Sequence, residues 1–145
     1  MTDAAKTTFG AELWMGPSGG TLVKVAELTS INPPKRSRST IDVTTHDSVA
    51  GAQEFIGAAI YDPGEVSGGG FYVAGSGGDD ALVAAVTDGV QRDFKLVVKS
   101  AADTEDQTFA GFVTEYGPDE LGLDGVQTFS FTVKVSGPIT QAASA

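Results

Sequence analysis

The chain contains no cysteine and only one histidine, and these two shortages restrict its chemistry. Without cysteine it forms no disulfide, has no thiolate nucleophile and offers no cysteine ligands to zinc. A metal site at His46 would need distant carboxylates as further ligands, and no spacing in the sequence indicates them. The sequence therefore favours a function other than thiol or zinc chemistry.

Basic residues are also scarce. Nine Lys and Arg stand against 19 Asp and Glu, which gives a formal net charge of −10. Wrapping a nucleic acid requires a clustered basic surface, so this mode of binding is disfavoured. Between Ser39 and Gln91 there is no Lys or Arg at all. That segment instead carries carboxylates at Asp42, Asp47, Glu54, Asp62, Glu65, Asp79, Asp80 and Asp88.

Four of the nine cations stand in a short piece just before that acidic segment, at Lys24, Lys35, Arg36 and Arg38. Two interpretations follow. The acidic excess is either a solvated surface, or one half of a charge-segregated subunit whose basic patch meets an acidic patch on a neighbour.

Long apolar runs are missing as well. No stretch approaches the roughly 20 apolar residues that span a bilayer. The first residues, MTDAAKTTFGAELW, have no apolar segment of the signal-peptide type. The sequence therefore predicts neither membrane insertion nor export by a standard signal peptide.

Glycine is abundant, at 19 residues, and alternation of apolar and polar residues predicts strands. The pattern is clearest in VQTFSFTVKV near the C-terminus. RDFKLVVKS and QTFAGFVTEY repeat it, and the acidic turn between them predicts a hairpin. Earlier candidate strands are AELWM, TLVKVAEL, STIDVTT and EVSGGGFYV. In the last of these, Gly68 to Gly70 indicate a bulge or a close approach of two backbones.

One segment, GGDDALVAAVTDGVQ, has the pattern of a short helix. Asp79 is placed to cap it, Leu82, Val83 and Val86 form an apolar stripe, and Gly89 is a helix stop. The predicted fold is mainly β: a single domain, residues 1–145, forming a β-sandwich or barrel of about seven to eight strands with one flanking helix. Residues 1–8 and 139–145 are expected to be flexible arms.

A long inter-strand segment, residues 47–64, is too apolar for a solvated loop. It carries Phe55, Ile56, Ile60 and Tyr61 among small residues, and loops of this length are usually functional. Exposed apolar side chains in such a loop mark an interaction surface. We therefore expect an assembly loop here.

The stretch STIDVTTHDS leads into that loop and contains His46 and Asp47. Ile41, Val43 and Thr45 alternate with Thr40, Asp42 and Thr44, which predicts a strand. Adjacent residues on a strand point to opposite faces, so His46 and Asp47 form no catalytic dyad there. No nucleophile-elbow or phosphate-loop motif surrounds the nearby hydroxyls and glycines. We predict no catalytic residue, no metal site and no cofactor.

Taken in order, several motifs resemble the tail tube proteins, or major tail proteins, of long-tailed bacteriophages. An FGAELW-like strand is followed by TLVKVAELTSINPPKRSRSTIDVTTHDS. The order and spacing of residues in this stretch are the most specific element of the resemblance. QEFIGAAIYDPGEVSGGGFYV, RDFKLVV and FAGFVTEYGPDELGLDGVQTFSFTVKVSG then follow in the family's order. The resemblance covers about Phe9 to Pro138, and a phage-like gene transfer agent would use the same type of protein.

This resemblance implies a structural protein, not an enzyme. Subunits would form hexameric rings that stack into a hollow tube, through which DNA passes without specific binding. Further expected partners are the tape-measure, tail terminator and tail initiator proteins. The expected location is the virion tail, assembled in the bacterial cytoplasm. The candidate contacts between subunits or rings are Lys35, Arg36, Arg38, His46, Asp47, Phe55, Ile56, Ile60 and Tyr61.

Two alternatives stay open at this point. A monomeric immunoglobulin-like β-sandwich that binds carbohydrate or protein through its loops would share the same strand pattern. A tube protein of a contractile secretion system would share both the pattern and the mode of assembly.

Overall fold

The computed structural model describes residues 12–25, 28–72, 74–75, 77–99, 104–120, 123 and 125–143. Within these ranges the chain forms strands, one α-helix and a short 3₁₀ helix, Val49–Gly51. The elements are β1 Glu12–Pro17, β2 Val23–Lys24, β3 Leu28–Asn32, β4 Thr40–Asp42, β5 Phe55–Gly57, β6 Glu65–Phe71, α1 Gly77–Asp88, β7 Arg92–Lys99, β8 Thr104–Pro118 and β9 Thr128–Ala143.

Seven strands form one curled sheet, a half-barrel, in the order β2-β1-β7-β8-β9-β6-β3. Each described pair within it is antiparallel. The two remaining strands, β4 and β5, pair only with each other. The mainly β architecture with one helix is confirmed, and the predicted hairpin of β7 and β8 is present.

The core lies on one face of the curled sheet because the alternating apolar residues of β1, β7, β8 and β9 all point to it. Phe94 stacks on Phe109 with ring centroids 5.5 Å apart. The largest fully buried side chains are those of Phe94, Phe131, Leu13, Leu82, Leu96, Val66 and Val133.

Helix α1 covers this core but turns a different side to it than the sequence pattern predicted. Leu82 and Ala85 are buried, whereas Val83 and Val86 are exposed. Leu82 and Ala85 are three residues apart and so share one helix face, whereas Val83 is rotated away from it. The helix stop at Gly89 is confirmed by its left-handed φ of 66°.

The glycine triplet in β6 provides a close backbone approach, and the strand itself is unbroken from Glu65 to Phe71. A Cβ atom at Gly68 would lie 2.5 Å from the carbonyl oxygen of Ser30, and one at Gly69 would collide with the carbonyl oxygen of Phe129. The irregular register lies in the partner strand β3, between Leu28 and Ser30.

The C-terminal segment differs from the flexible arm expected for residues 139–145. Strand β9 continues to Ala143 and pairs with the first residues of β8, from Glu105 to Thr108. Ile139 is buried in the core, which anchors this extension to the sheet. The other expected arm, residues 1–8, and the last two residues lie outside the described ranges.

Candidate assembly surface

Residues 37–62 form a projection that leaves the sheet between β3 and β6. From here on this projection is called the arm, and it is distinct from the terminal arms expected at residues 1–8 and 139–145. An antiparallel bridge closes its base, where Ser37 and Asp62 exchange backbone hydrogen bonds of 2.9 and 2.7 Å. The backbone N–H of Ala58 donates to the carbonyl of Ser39 at 2.9 Å. Beyond it, β4 and β5 form a hairpin whose residues are all exposed.

This hairpin contains the strand that was predicted in STIDVTT, although it is shorter than the alternation indicated. Only Thr40–Asp42 is a strand, and the side chains of Ile41 and Val43 are 50% and 38% exposed. They are exposed because, within the part of the chain that the structure describes, β4 pairs with β5 alone. An isolated two-stranded hairpin is marginally stable in water, so the arm has little stability of its own.

The arm concentrates large exposed apolar side chains. Phe55 and Ile56 are half exposed, and Ile60 is 84% exposed. These three were candidate contacts from the sequence. Ile41, Val43 and Val49 join them on the arm. A patch of this kind marks a surface for another protein.

His46 and Asp47 lie in the turn at the far end of the arm. Thr45 and Ser48 shape this turn, because the Ser48 hydroxyl accepts from the Thr45 N–H at 2.9 Å. The Thr45 hydroxyl in turn accepts from the Asp47 N–H at 3.2 Å. Among the described residues, no three His, Cys, Asp or Glu side chains are grouped to hold a metal ion. The turn thus presents His46 and Asp47 to solvent.

The basic candidates lie at the opposite end, where the arm meets the sheet. Arg36 donates to the carbonyl oxygen of Ile139 and to the side-chain oxygen of Gln141, at 3.4 and 3.2 Å. Arg38 donates to the carbonyl of Ala58, and its guanidinium lies 5.5 Å from the centre of the Tyr61 ring. Arg36 therefore ties the base of the arm to β9, whereas Arg38 joins the two sides of the arm to each other.

Asp62 holds the second side of the base, where the chain returns from the arm to β6. Its carboxylate accepts from the backbone N–H of Gly64 at 2.8 Å and pairs with Lys134 at 3.2 Å. These two contacts hold the pKa of the Asp62 carboxyl below its usual range. Gly64 has a φ of +95°, and a Cβ atom there would lie 2.5 Å from the carbonyl oxygen of Lys35. Only glycine fits this bend.

A groove of about 500 Å³ runs between the base of the arm and β9. Its apolar walls come from both sides of the junction, and we call it the base groove. The residues that line it are Ala59, Ile60, Tyr61, Pro63, Val135, Gly137 and Pro138.

The structure thus divides the nine candidate residues into groups. Five of them gather at the base of the arm: Lys35, Arg36, Arg38, Ile60 and Tyr61. His46 and Asp47 lie in the turn at its far end, and Phe55 and Ile56 lie between the two. No local pattern indicates that Lys134 and Val135 belong to this base, because they are about 70 residues away along the chain and reach it through sheet pairing.

The fold is thus an antiparallel half-barrel with one flanking helix among the described residues and an exposed apolar arm. The sequence matches the family model of phage tail tube proteins over residues 14–141. The chain belongs to this family and is a structural protein of the tail tube class. No curated protein matches the sequence.

Solved structures with the same fold come from related assemblies. A chain from the tail of an empty gene transfer agent particle, refined with C6 helical symmetry, has a TM-score of 0.78 at 18% identity, covering 96% of this chain and all of that one. The SPP1 tail tube gives 0.69 at 13% identity, covering 99% and 79%. A chain of the sheath-tube complex of an extracellular contractile injection system gives 0.66 at 11%, covering 92% and 88%.

One further observation concerns membranes. No helix among the residues that the structure describes is long and apolar enough to cross a bilayer.

Proposed function

We propose that this protein forms hexameric rings that stack into the hollow tail tube of a phage or phage-like particle. The observation that carries the proposal is the arm, whose apolar residues are exposed in the single chain although the family to which it belongs is one of tube subunits. Burial of apolar surface contributes about 25 cal/mol of favourable free energy per Å². These residues therefore supply association energy once a second copy covers them.

DNA passes through this tube without being bound. The net charge of −10 supports this part of the proposal, because a wall that carried lysine and arginine contacts to phosphates would retain the DNA. The protein acts as a conduit and catalyses no reaction. It assembles in the bacterial cytoplasm into the virion tail, together with tape-measure, tail terminator and tail initiator proteins.

Electron microscopy of the purified protein at rising concentration tests the proposal. We expect rings and then tubes with six-fold symmetry and a central channel. A protein that stays monomeric at every concentration, and also with tail initiator proteins present, would favour a monomeric binding module instead. If the tubes bind a sheath protein, the protein belongs to a contractile system.

A variant without the arm supplies the matched control. Because the Ala58 N–H bonds the Ser39 carbonyl, residues 40–57 can be replaced by a two-residue Asn-Gly turn without straining the base. The half-barrel should keep its melting behaviour, since the removed residues contribute nothing to the core. Tube formation should be lost.

DNA transit without binding is tested separately by fluorescence anisotropy with a labelled duplex. We expect no binding to the tubes at physiological salt. Tight binding that weakens steeply with added salt would show a phosphate-binding surface and would contradict the role of the acidic excess.

A further inference from the structure

The chain contains a single Asp–Pro peptide bond, Asp62–Pro63, and this bond lies where the arm returns to β6. Its chemistry differs from that of other peptide bonds in two ways. The prolyl nitrogen belongs to a tertiary amide, which takes up a proton more readily than an ordinary peptide nitrogen. The aspartate carboxylate can also attack the carbonyl carbon of its own residue through a five-membered ring.

The turn at the base of the arm holds the Asp62 carboxylate across this bond. Its Oδ1 accepts from the backbone N–H of Gly64 at 2.8 Å and from the ammonium group of Lys134 at 3.2 Å. A hydrogen bond from the N–H two residues later makes an Asx turn, in which the carboxylate lies over the intervening peptide. Gly64 supplies this N–H from a left-handed bend, with a φ of +95°. The carboxylate is therefore fixed next to the bond that it can attack.

The carbonyl group of the same bond is held as well. Its oxygen accepts from the backbone N–H of Ser37 at 2.9 Å, in the bridge that closes the base. Attack on the carbonyl carbon moves negative charge onto this oxygen, and a donor that already points at it stabilises that charge. The side chain of Asp62 is 55% exposed, so water reaches the site. A nucleophile, a donor for the oxyanion and water thus meet at one peptide bond.

We propose that the folded base of the arm promotes cleavage of its own Asp62–Pro63 bond in acid. An oxygen of the Asp62 carboxylate bonds to the carbonyl carbon of Asp62. The bond from that carbon to the Pro63 nitrogen then breaks, and the nitrogen leaves with a proton taken from the acidic solvent. One water molecule opens the cyclic anhydride, so that residue 62 ends in two carboxyl groups and Pro63 becomes an N-terminus. Each chain reacts once, which makes this a modification and not an enzymatic activity.

A cut at this bond divides the chain into residues 1–62 and 63–145 but leaves the sheet connected. Strands β1 and β3 belong to the first piece and pair with β7 and β6 of the second. The arm is then joined to the half-barrel through β3 and through the contacts of Arg36 with β9. The product is therefore a complex of two chains, which separate on denaturation because the protein has no cysteine to link them.

The pH dependence follows from the two groups that react. The prolyl nitrogen must gain a proton, whereas the carboxyl must be ionised to attack. The rate should therefore rise as pH falls and level off below the pKa of the Asp62 carboxyl. The Gly64 N–H and Lys134 hold this pKa below its ordinary value of 3.8, which raises the level that the rate reaches. The other charged side chains around the base are those of Lys35, Arg36, Arg38 and Glu65.

Mass spectrometry of the dilute wild-type protein after incubation at about pH 3, near the carboxyl pKa, tests the proposal. We expect the fragments 1–62 and 63–145, formed about tenfold faster in the folded protein than in concentrated urea. Asp62→Ala should give neither fragment. Equal rates with and without urea overturn the proposal. Because the cut is measured in the single chain, this result is independent of tube formation and leaves the proposed function untouched.

Gly117→Asp supplies a matched control, because it places a second Asp–Pro bond before Pro118 in the same molecule. A Cβ atom at Gly117 meets nothing within 4 Å, and the N–H two residues later, at Asp119, already donates to the carbonyl of Thr128. In the folded variant the new bond should break about tenfold more slowly than Asp62–Pro63, whereas in urea the two should break at similar rates. Similar rates in the folded variant contradict the proposal.

Lys134 acts here as a positioning residue, and the pH profile tests that part separately. Lys134→Gln should lower the level rate about threefold and should move its onset to higher pH, since the Asp62 carboxyl loses a cation. Lys24→Gln is the control, because it removes another exposed lysine that pairs with a carboxylate, that of Glu12 on β1. A profile that Lys134→Gln leaves unchanged overturns the part assigned to Lys134.

Discussion

At the scale of single residues, the closest backbone contacts in the sheet depend on glycines that have no room for a side chain. Gly69 is the clearest case, because a Cβ atom there would collide with the carbonyl of Phe129 on β9. The obstacle is a backbone atom in the middle of the sheet, so neither strand can move without breaking its ladder.

We therefore expect Gly69→Ala to lower the free energy of unfolding by about 2 kcal/mol. Gly117→Ala is the matched control, since nothing lies within 4 Å of the added atom. That control should stay within about 0.5 kcal/mol of the wild type. Urea denaturation of the dilute protein measures both, and an equal effect of the two variants would refute the steric explanation.

A second feature at this scale is the carboxylate of Asp119, which joins the end of β8 to the start of β9. It accepts hydrogen bonds from the hydroxyls of Ser130 and Thr128, each at 2.7 Å. The two bonds, with that of Ser130 the larger influence, hold the pKa of Asp119 below its ordinary value of 3.8. The folded state thus favours the ionised carboxylate.

Because the folded-state pKa is the lower one, the stability from Asp119 is fully present above pH 3.8 and is lost as pH falls through the folded value. Asp119→Asn should therefore be less stable than the wild type near neutral pH, and the difference should shrink between about pH 5 and pH 2. Unfolding curves across that range measure it. Glu120→Gln is the control, and a difference independent of pH would argue against the ionic role.

At the scale of elements, α1 is attached to the sheet by polar contacts as well as by its apolar face: Asp88 pairs with Arg92 on β7 at 2.7 Å, and Asp79 contacts β8. The hydroxyl of Tyr116 on β8 donates to the carboxylate of Asp79 at 2.5 Å, while the other carboxylate oxygen accepts from the Gly75 N–H. Burial and the Asp79 carboxylate both raise the pKa of Tyr116, so the phenol keeps the proton that it donates.

Tyr116→Phe should therefore destabilise the protein by about 1 kcal/mol, because Asp79 keeps its charge and loses a donor. Tyr61→Phe is the control, since it removes the hydroxyl of another partly buried tyrosine, which lies in the arm and outside both α1 and β8. Thermal unfolding compares the two. If both substitutions cost the same, the contact contributes nothing specific to the attachment of α1.

The strands also show how much of the fold could be predicted from the alternation of apolar and polar residues. Alternation predicted β7, β8 and β9 because one face of each strand is buried in this chain's own core. The same alternation in STIDVTT predicted a strand, and Thr40–Asp42 is one, but Ile41 and Val43 are exposed in the single chain. Alternation indicates that a face is to be buried, and it does not say in which molecule. Contacts such as Lys134 with Asp62 leave no local signal, because sheet pairing alone brings them together.

At the scale of the whole molecule, the chain combines a half-barrel with a complete core and an arm that contributes nothing to that core. The long strands β8 and β9 pair over most of their length and hold the half-barrel together. The arm depends on the hydrogen bonds of its base and of its short ladder. Local opening should therefore be easy in the arm and difficult in the half-barrel.

Hydrogen exchange measures this contrast directly. In the dilute protein, we expect the amides of β4 and β5 to exchange at rates close to those of unfolded chains, while β8 and β9 stay protected up to the free energy of global unfolding. In tubes, the arm should gain protection because a second copy covers it, whereas the half-barrel should change little. An arm that is already protected in the dilute protein, or one that stays unprotected in tubes, would contradict its role as the element that assembly completes.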